Sequence, residues 1–194
     1  MGKGETTRER IIAEAAPIFN QKGFAGASMQ DVMEATGLEK GGLYRHFGSK
    51  EELAVEVFRH SLAKSVKMRT EKIDPAHTAV EHLRALVARF VSTPSTVPGG
   101  CPLMNTAIDT DDGNPVLREL ARQGIADWQK RLAVVVREGI RVGEIRSDVK
   151  PRTVANTIIA TLAGALMMSR LEGSRVALED AEVSLGVVLD ACVA

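Results

Sequence analysis

From Thr36 to Leu53 the chain reads Thr-Gly-Leu-Glu-Lys-Gly-Gly-Leu-Tyr-Arg-His-Phe-Gly-Ser-Lys-Glu-Glu-Leu. The side chains of this run suit a polyanion. Arg45 and Lys50 supply positive charge, and Tyr44 and His46 supply donors for phosphate oxygens. Lys40, at the start of its helix, is the side chain best placed to reach a base edge. Gly41 and Gly42 each cost a helix about 1 kcal/mol relative to Ala. In return they let the backbone approach a groove wall closely. Two plainer readings stand beside these. Gly-Gly can merely loosen a short helix, and Tyr44 can be a core aromatic with its hydroxyl in solvent. Ser28 and Ser49 fall at helix starts, and a helix N-terminus is a natural anion site.

Short helices must position these groups. Ser28-Met29-Gln30-Asp31 is a capping box with Asp in place of the preferred Glu or Gln. It opens a helix over 29–35. Thr36-Gly37-Leu38 is a tight turn, and a second short helix follows over 39–47. Two short helices around a three-residue turn with Gly make a helix-turn-helix. Ser49-Lys50-Glu51-Glu52 is a fuller capping box and opens a long helix to about Arg69. Ahead of the pair, a helix over 6–21 keeps Ile11, Ile12, Ala15 and Phe19 on a helical period. Pro17 should kink it and Gly23 should end it. Phe47, Leu43, Val32, Leu38 and Phe19 are expected to fill the small core. Residues 1–60 carry eight Lys+Arg and nine Asp+Glu, a net of −1. Any basic face must therefore come from segregation of charge.

Together, Gly23-Phe24, Thr36-Gly37, Leu43-Tyr44-Arg45-His46-Phe47 and Ser49-Lys50-Glu51-Glu52-Leu53 resemble the amino-terminal pattern of the tetracycline-repressor (TetR) family of transcription regulators. The likeness covers about residues 6–55. Glu39 departs from it, standing where many members carry a small hydroxyl residue; a carboxylate near phosphates costs affinity, so this one should point away from DNA. The resemblance implies an all-α protein. A three-helix helix-turn-helix DNA-binding domain over residues 1–50 is followed by a helical ligand-binding and dimerisation domain over 51–194. It implies a homodimer, paired through the two final helices, on double-stranded operator DNA. It also implies release by a small, largely apolar inducer held among the middle helices. DNA-binding residues expected on these grounds are Ser28, Lys40, Gly41, Gly42, Tyr44, Arg45, His46 and Lys50.

The remainder is helical by its punctuation. Asp74-Pro75, Cys101-Pro102, Asn114-Pro115 and Lys150-Pro151 each put Pro near a helix start. Helices follow to about 92, to 109, to 142 and to 171, and a last one covers 177–192. Thr93–Gly100 is a loop rich in Pro, Ser, Thr and Gly. Five of the seven aromatics (Phe19, Phe24, Tyr44, Phe47, Phe58) precede residue 59, as a small unit with little area to bury requires. The apolar run Ile158–Met168 reads as a helix buried on several sides, in a core or an interface. Candidate inducer contacts are Phe90, Cys101, Met104, Ile108, Trp128, Met167 and Met168, since Met adapts to varied shapes and Trp offers a stacking face. Each is equally readable as core. Cys101, at an expected helix start beside two glycines, has a second reading as a thiol that senses electrophiles or oxidants.

Several classes are excluded or disfavoured. With 25 Lys+Arg against 25 Asp+Glu, bulk charge cannot bind nucleic acid or anionic membrane. Cys101 and Cys192 form neither a disulfide framework nor a zinc pattern. Met1–Glu14 has no apolar signal region. The apolar stretch over 154–168 is shorter than the ~20 residues that span a bilayer. The expected location is thus cytoplasmic, without a membrane partner. No phosphate loop, serine elbow or metal-spaced histidines occur, so no enzyme, cofactor or metal is expected. The reading from a different class is a helical binding module without DNA function.

Overall fold

A computed structural model describes residues 3–71, 78–110 and 112–194. Among these, nine helices follow in order: α1 (Lys3–Gly26), α2 (Met29–Thr36), α3 (Lys40–Tyr44), α4 (Lys50–Thr70), α5 (Ala79–Ser92), α6 (Pro102–Asp109), α7 (Pro115–Arg141), α8 (Pro151–Glu172) and α9 (Val176–Asp190). The described residues contain no strand, only an isolated bridge between Ile145 and Val193. The all-α expectation holds.

The chain packs into two compact units. One comprises residues up to Val66 together with Ser95–Gly124; the other comprises Lys67–Pro94 and Ile125–Ala194. In the first, Ile11, Ile12, Ala15 and Ala16 of α1 pack with Val32, Leu43, Phe47, Leu53, Val57 and Val97. Phe19 and Leu38 lie partly buried against that cluster. The five residues expected to fill this core are therefore all in or on it. In the second unit α5, α8 and α9 pack together. α8 turns Val154, Ala155, Ile158, Ile159, Leu162 and Ala165 inward, and α9 turns Leu178, Ala181, Leu185 and Leu189 inward.

Several boundaries differ from expectation. α1 contains Pro17, is broken at Gly23 (φ 71°, ψ 176°) where an end was expected, and then resumes to Gly26. α3 ends at Tyr44, three residues early, because Leu43 O takes the His46 and Phe47 amides in a closing turn. The Asp74-Pro75 start lies outside the described residues. The described α5 opens instead at Thr78, whose side chain and Glu81 form a complete capping box. α8, by contrast, runs from Pro151 to Glu172 as expected, and its 22 residues exceed the apolar run within it. By length and composition alone it would cross a membrane, yet Arg152 and Arg170 lie within it and one face packs on α5 and α9.

Candidate nucleic-acid interface

The helix-turn-helix is built by local chemistry. Ser28 has extended backbone, and its Oγ accepts from the Asp31 N–H at 3.1 Å. The Asp31 carboxylate answers, accepting from the Ser28 N–H at 2.8 Å and from the Ser28 hydroxyl at 2.7 Å. Asp thus completes the box that Glu usually makes. The Lys22 ammonium also donates to Asp31. That hydrogen bond, with those from Ser28, pulls the Asp31 carboxyl from its ordinary 3.8 down to about 2. α2 closes on Gly37 in the left-handed conformation (φ 64°), where an L side chain is disfavoured. The Arg10 guanidinium donates to the last α2 carbonyl, Thr36 O, at 3.0 Å.

α3 therefore starts at Lys40 with a fixed heading. Lys40, Gly41, Tyr44 and Arg45 are exposed, while Gly42 and His46 are half-buried. Leu43 and Phe47 point the other way and are fully buried. Tyr44 is 41% exposed, which decides against the core-aromatic reading. The Lys40 ammonium lies 5.9 Å from the Tyr44 ring centroid. Neither glycine has a positive φ. A Cβ on Gly41 would meet nothing within 4 Å, and one on Gly42 would make only ordinary contact with Leu38.

Charge is segregated as the net of −1 requires. Arg8 and Arg59 pair with Glu56, Arg10 with Glu14 and Lys22 with Asp31. Glu52 accepts from the Gly48 N–H at 2.8 Å, and Glu51 from the Asn114 amide. Lys40 and Arg45 take part in no ion pair among the described residues. The exposed face of α3 is thus cationic, although the surrounding sequence is not. Glu39 is the exception; exposed at the α3 N-cap, it makes no capping hydrogen bond.

Two expected contacts have work inside the protein. Ser28 is engaged as a cap. Lys50 Nζ donates to Ala27 O at 2.8 Å and lies 4.4 Å over the Phe24 ring. Its ammonium thus helps to hold the approach to α2.

The residues expected to touch an inducer fall into both units. In the second, Phe90 is buried and stacks on Trp128, with centroids 5.6 Å apart and planes at 19°. The Arg69 guanidinium lies 4.5 Å over Phe90. Sequence reasoning did not find Arg69, because nothing in its spacing links the end of α4 to α5. Met167 and Met168 are exposed, because they lie off the inward Ile158–Leu162–Ala165 stripe of α8. In the first unit, Met104 is half-buried and Ile108 is 72% exposed. An enclosed lining was expected of Met167, Met168 and Ile108; the single chain leaves them on the surface. Cys101 does cap α6, yet it is buried, and its flanking glycines do not leave it accessible. Cys192 is also buried, and that burial pushes its thiol pKa up, as suits a packing residue.

Comparison with known proteins gives consistent matches. Residues 11–57 match the family model of bacterial regulatory proteins, tetR family, and residues 79–185 match the tetracyclin repressor-like C-terminal domain. The chain is 41% identical to a TetR transcriptional regulator from Chloroflexus aurantiacus J-10-FL, covering 100% of this chain and 98% of that one, with a TM-score of 0.94. A TetR-family regulator from Cytophaga hutchinsonii is 33% identical over 100% and 98% of the two chains, with a TM-score of 0.91. The HTH-type transcriptional repressor DhaR of Mycobacterium sp. (strain GP1) is 26% identical over 95% of this chain and 91% of that protein.

Proposed function

This chain belongs to the TetR family of transcriptional regulators, and we propose that it is a homodimeric repressor which a small, largely apolar inducer releases from a palindromic operator. Residues 1–50 read the DNA; residues 51–194 dimerise and bind the inducer. The protein acts in the cytoplasm, where its operator is.

The observation that carries the DNA reading is the pair Gly41-Gly42. Nothing among the described residues needs glycine at either position, since φ is ordinary and a Cβ has room. Each nonetheless costs helix stability. The constraint lies outside the molecule, in a surface that must come closer to α3 than a methyl group allows. Lys40, Tyr44 and Arg45 surround that approach with donors. Ser28 and Lys50 serve by holding the two helices in register, and His46, half-buried, borders the face.

Dimerisation is supported by α8 and α9. Beyond their inward faces they expose Met167, Met168, Leu171, Val176, Val183 and Val187. Two copies related by a two-fold axis then present two copies of α3 to successive turns of DNA. Induction is a population shift toward a state whose α3 spacing no longer matches the operator. The Phe90–Trp128 stack offers an inducer an apolar stacking surface. The thiol-sensor alternative loses its ground, because Cys101 is only 5% exposed.

The test is selection of duplexes from a random-sequence pool. Binding to the selected site is then measured at roughly physiological salt with excess competitor DNA, because low salt inflates non-specific affinity. We expect a competitor-resistant complex on a palindrome, weakened by Lys40→Ala and Tyr44→Phe. Selection that enriches no sequence removes the DNA reading and leaves the helical binding module.

A further inference from the structure

We infer that α6 is a clasp on the DNA-reading helices: Asn105 and Asp109 close the break in α1 and so set the path by which the chain enters α2. The inference rests on the DNA reading above and adds the residues that hold its geometry.

An unbroken α1 would pair the Phe24 N–H with the Asn20 carbonyl, four residues back. The break at Gly23 parts them. Each then finds its partner on α6. Asn105 Nδ2 donates to Asn20 O at 3.0 Å, and the Phe24 N–H donates to Asp109 Oδ2 at 2.7 Å. Asn105 and Asp109 are four residues apart, hence on one face of α6. One severed backbone hydrogen bond is replaced by two, both to the same neighbouring helix.

The surroundings are shaped to this contact. A Cβ on Gly23 would overlap the Asp109 carboxylate, and its φ of 71° already disfavours any other residue. The segment leading into α6 is tied down as well. Asn20 Nδ2 donates to Pro98 O at 2.8 Å and Gly100 O at 3.0 Å, and Asn105 Nδ2 is also 2.8 Å from Gly99 O. A Cβ on Gly99 would lie 2.8 Å from Asn20 O.

Beyond the break, only Phe24 to Ala27 precede the Ser28 cap of α2. The Ala27 N–H returns to Gly23 O at 3.1 Å, and Lys50 holds both the Phe24 ring and Ala27 O. This short turn is stiff, so its heading is decided at the break. Movement of α6 strains both bonds of the clasp together and leaves Gly23 as the hinge that absorbs the change. Asn105 and Asp109 are thus positioning residues that touch no DNA.

A mere staple would lower stability and nothing else. The full-length wild type and the Asn105→Ala, Asp109→Ala and Asp109→Asn variants separate the two roles. Each is measured for amide exchange over residues 20–28, melting temperature, and affinity for both the selected operator and a random duplex. We expect Asp109→Ala and Asn105→Ala to speed exchange at Phe24 and weaken operator binding about tenfold, the scale of one hydrogen bond to a charged group. Random-duplex binding should change little, and the melting temperature should fall by only the few degrees that one lost hydrogen bond costs. Asp109→Asn, whose amide oxygen still accepts, should restore both exchange and affinity. Undiminished operator binding by Asp109→Ala, beside a wild type that binds, overturns the clasp alone. So does a loss that tracks melting temperature and is not rescued by Asn. A wild type that selects no operator overturns the clasp together with the DNA reading.

Discussion

Gly41 stands where Ala would serve the isolated protein better. It lies in a helix, has ordinary φ, and faces open space. Intrinsic propensity then favours Gly41→Ala by up to about 1 kcal/mol, while proximity to a groove disfavours it. The two effects are measured separately. Thermal melts should show Gly41→Ala equal to or slightly more stable than wild type. Anisotropy on the selected operator should show at least a tenfold loss, because a methyl group pressed on DNA displaces the whole helix. Equal affinity with raised stability would make Gly-Gly a tolerated imperfection. Lys50 teaches the complementary lesson. Its type and place suggested a phosphate contact, but its ammonium is already held by Ala27 O and the Phe24 ring. A cation beside the reading helix can carry a structural bond as well, which its type and spacing alone do not reveal.

At the scale of elements, α2 depends on a charged cap. Asp31 keeps its carboxyl near 2 chiefly through the Lys22 ammonium, then through Ser28. A carboxyl whose folded pKa lies below its unfolded value stabilises the fold above the unfolded value. That contribution fades as pH falls through the folded one. Wild type should therefore melt higher than Asp31→Ala above pH 4, and the two should converge as the pH approaches 2. Melting curves from pH 6 to pH 2 check this; a constant gap would mean that Asp31 acts only by shape. Elements of this kind were legible in the sequence because their signals are local. Ser28 with Asp31, Cys101-Pro102, Asn114-Pro115 and Lys150-Pro151 each mark a start within four residues. At α5 the Asp74-Pro75 signal lies outside the described residues, and the Thr78–Glu81 capping box opens the described helix. The break at Gly23 was read as an end. Only α6, some 80 residues on, supplies the Asn105 and Asp109 that let the helix resume. The site was likewise half legible. The types on α3 were visible, but their exposure depends on Leu43 and Phe47 turning inward.

At the scale of the whole molecule, the unresolved feature of a single chain is that α8 and α9 have two apolar faces each. Ile158, Leu162 and Ala165 point inward from α8, while Met167, Met168 and Leu171 point outward. On α9, Leu178, Leu185 and Leu189 point inward, and Val176, Val183 and Val187 point outward. The outward residues recur at helical spacing, so they form stripes and not scattered exposures, and stripes of this kind mark an interface. Leu171 is the most exposed of them at 82%. In a two-fold interface every substitution counts twice. Loss of a buried Leu costs roughly 1.5–3 kcal/mol per copy, and a desolvated carboxylate adds to that. Leu171→Glu should therefore weaken dimerisation by about a hundredfold or more, at 1.4 kcal/mol per tenfold. Sedimentation at micromolar concentration should show monomers with unchanged helical ellipticity. Because one α3 reads only half a palindrome, operator affinity should fall to that of a half-site, and Val187→Glu should do the same. A Leu171→Glu and Val187→Glu pair that both remain dimeric would place the two-fold contact elsewhere and leave these stripes for another partner.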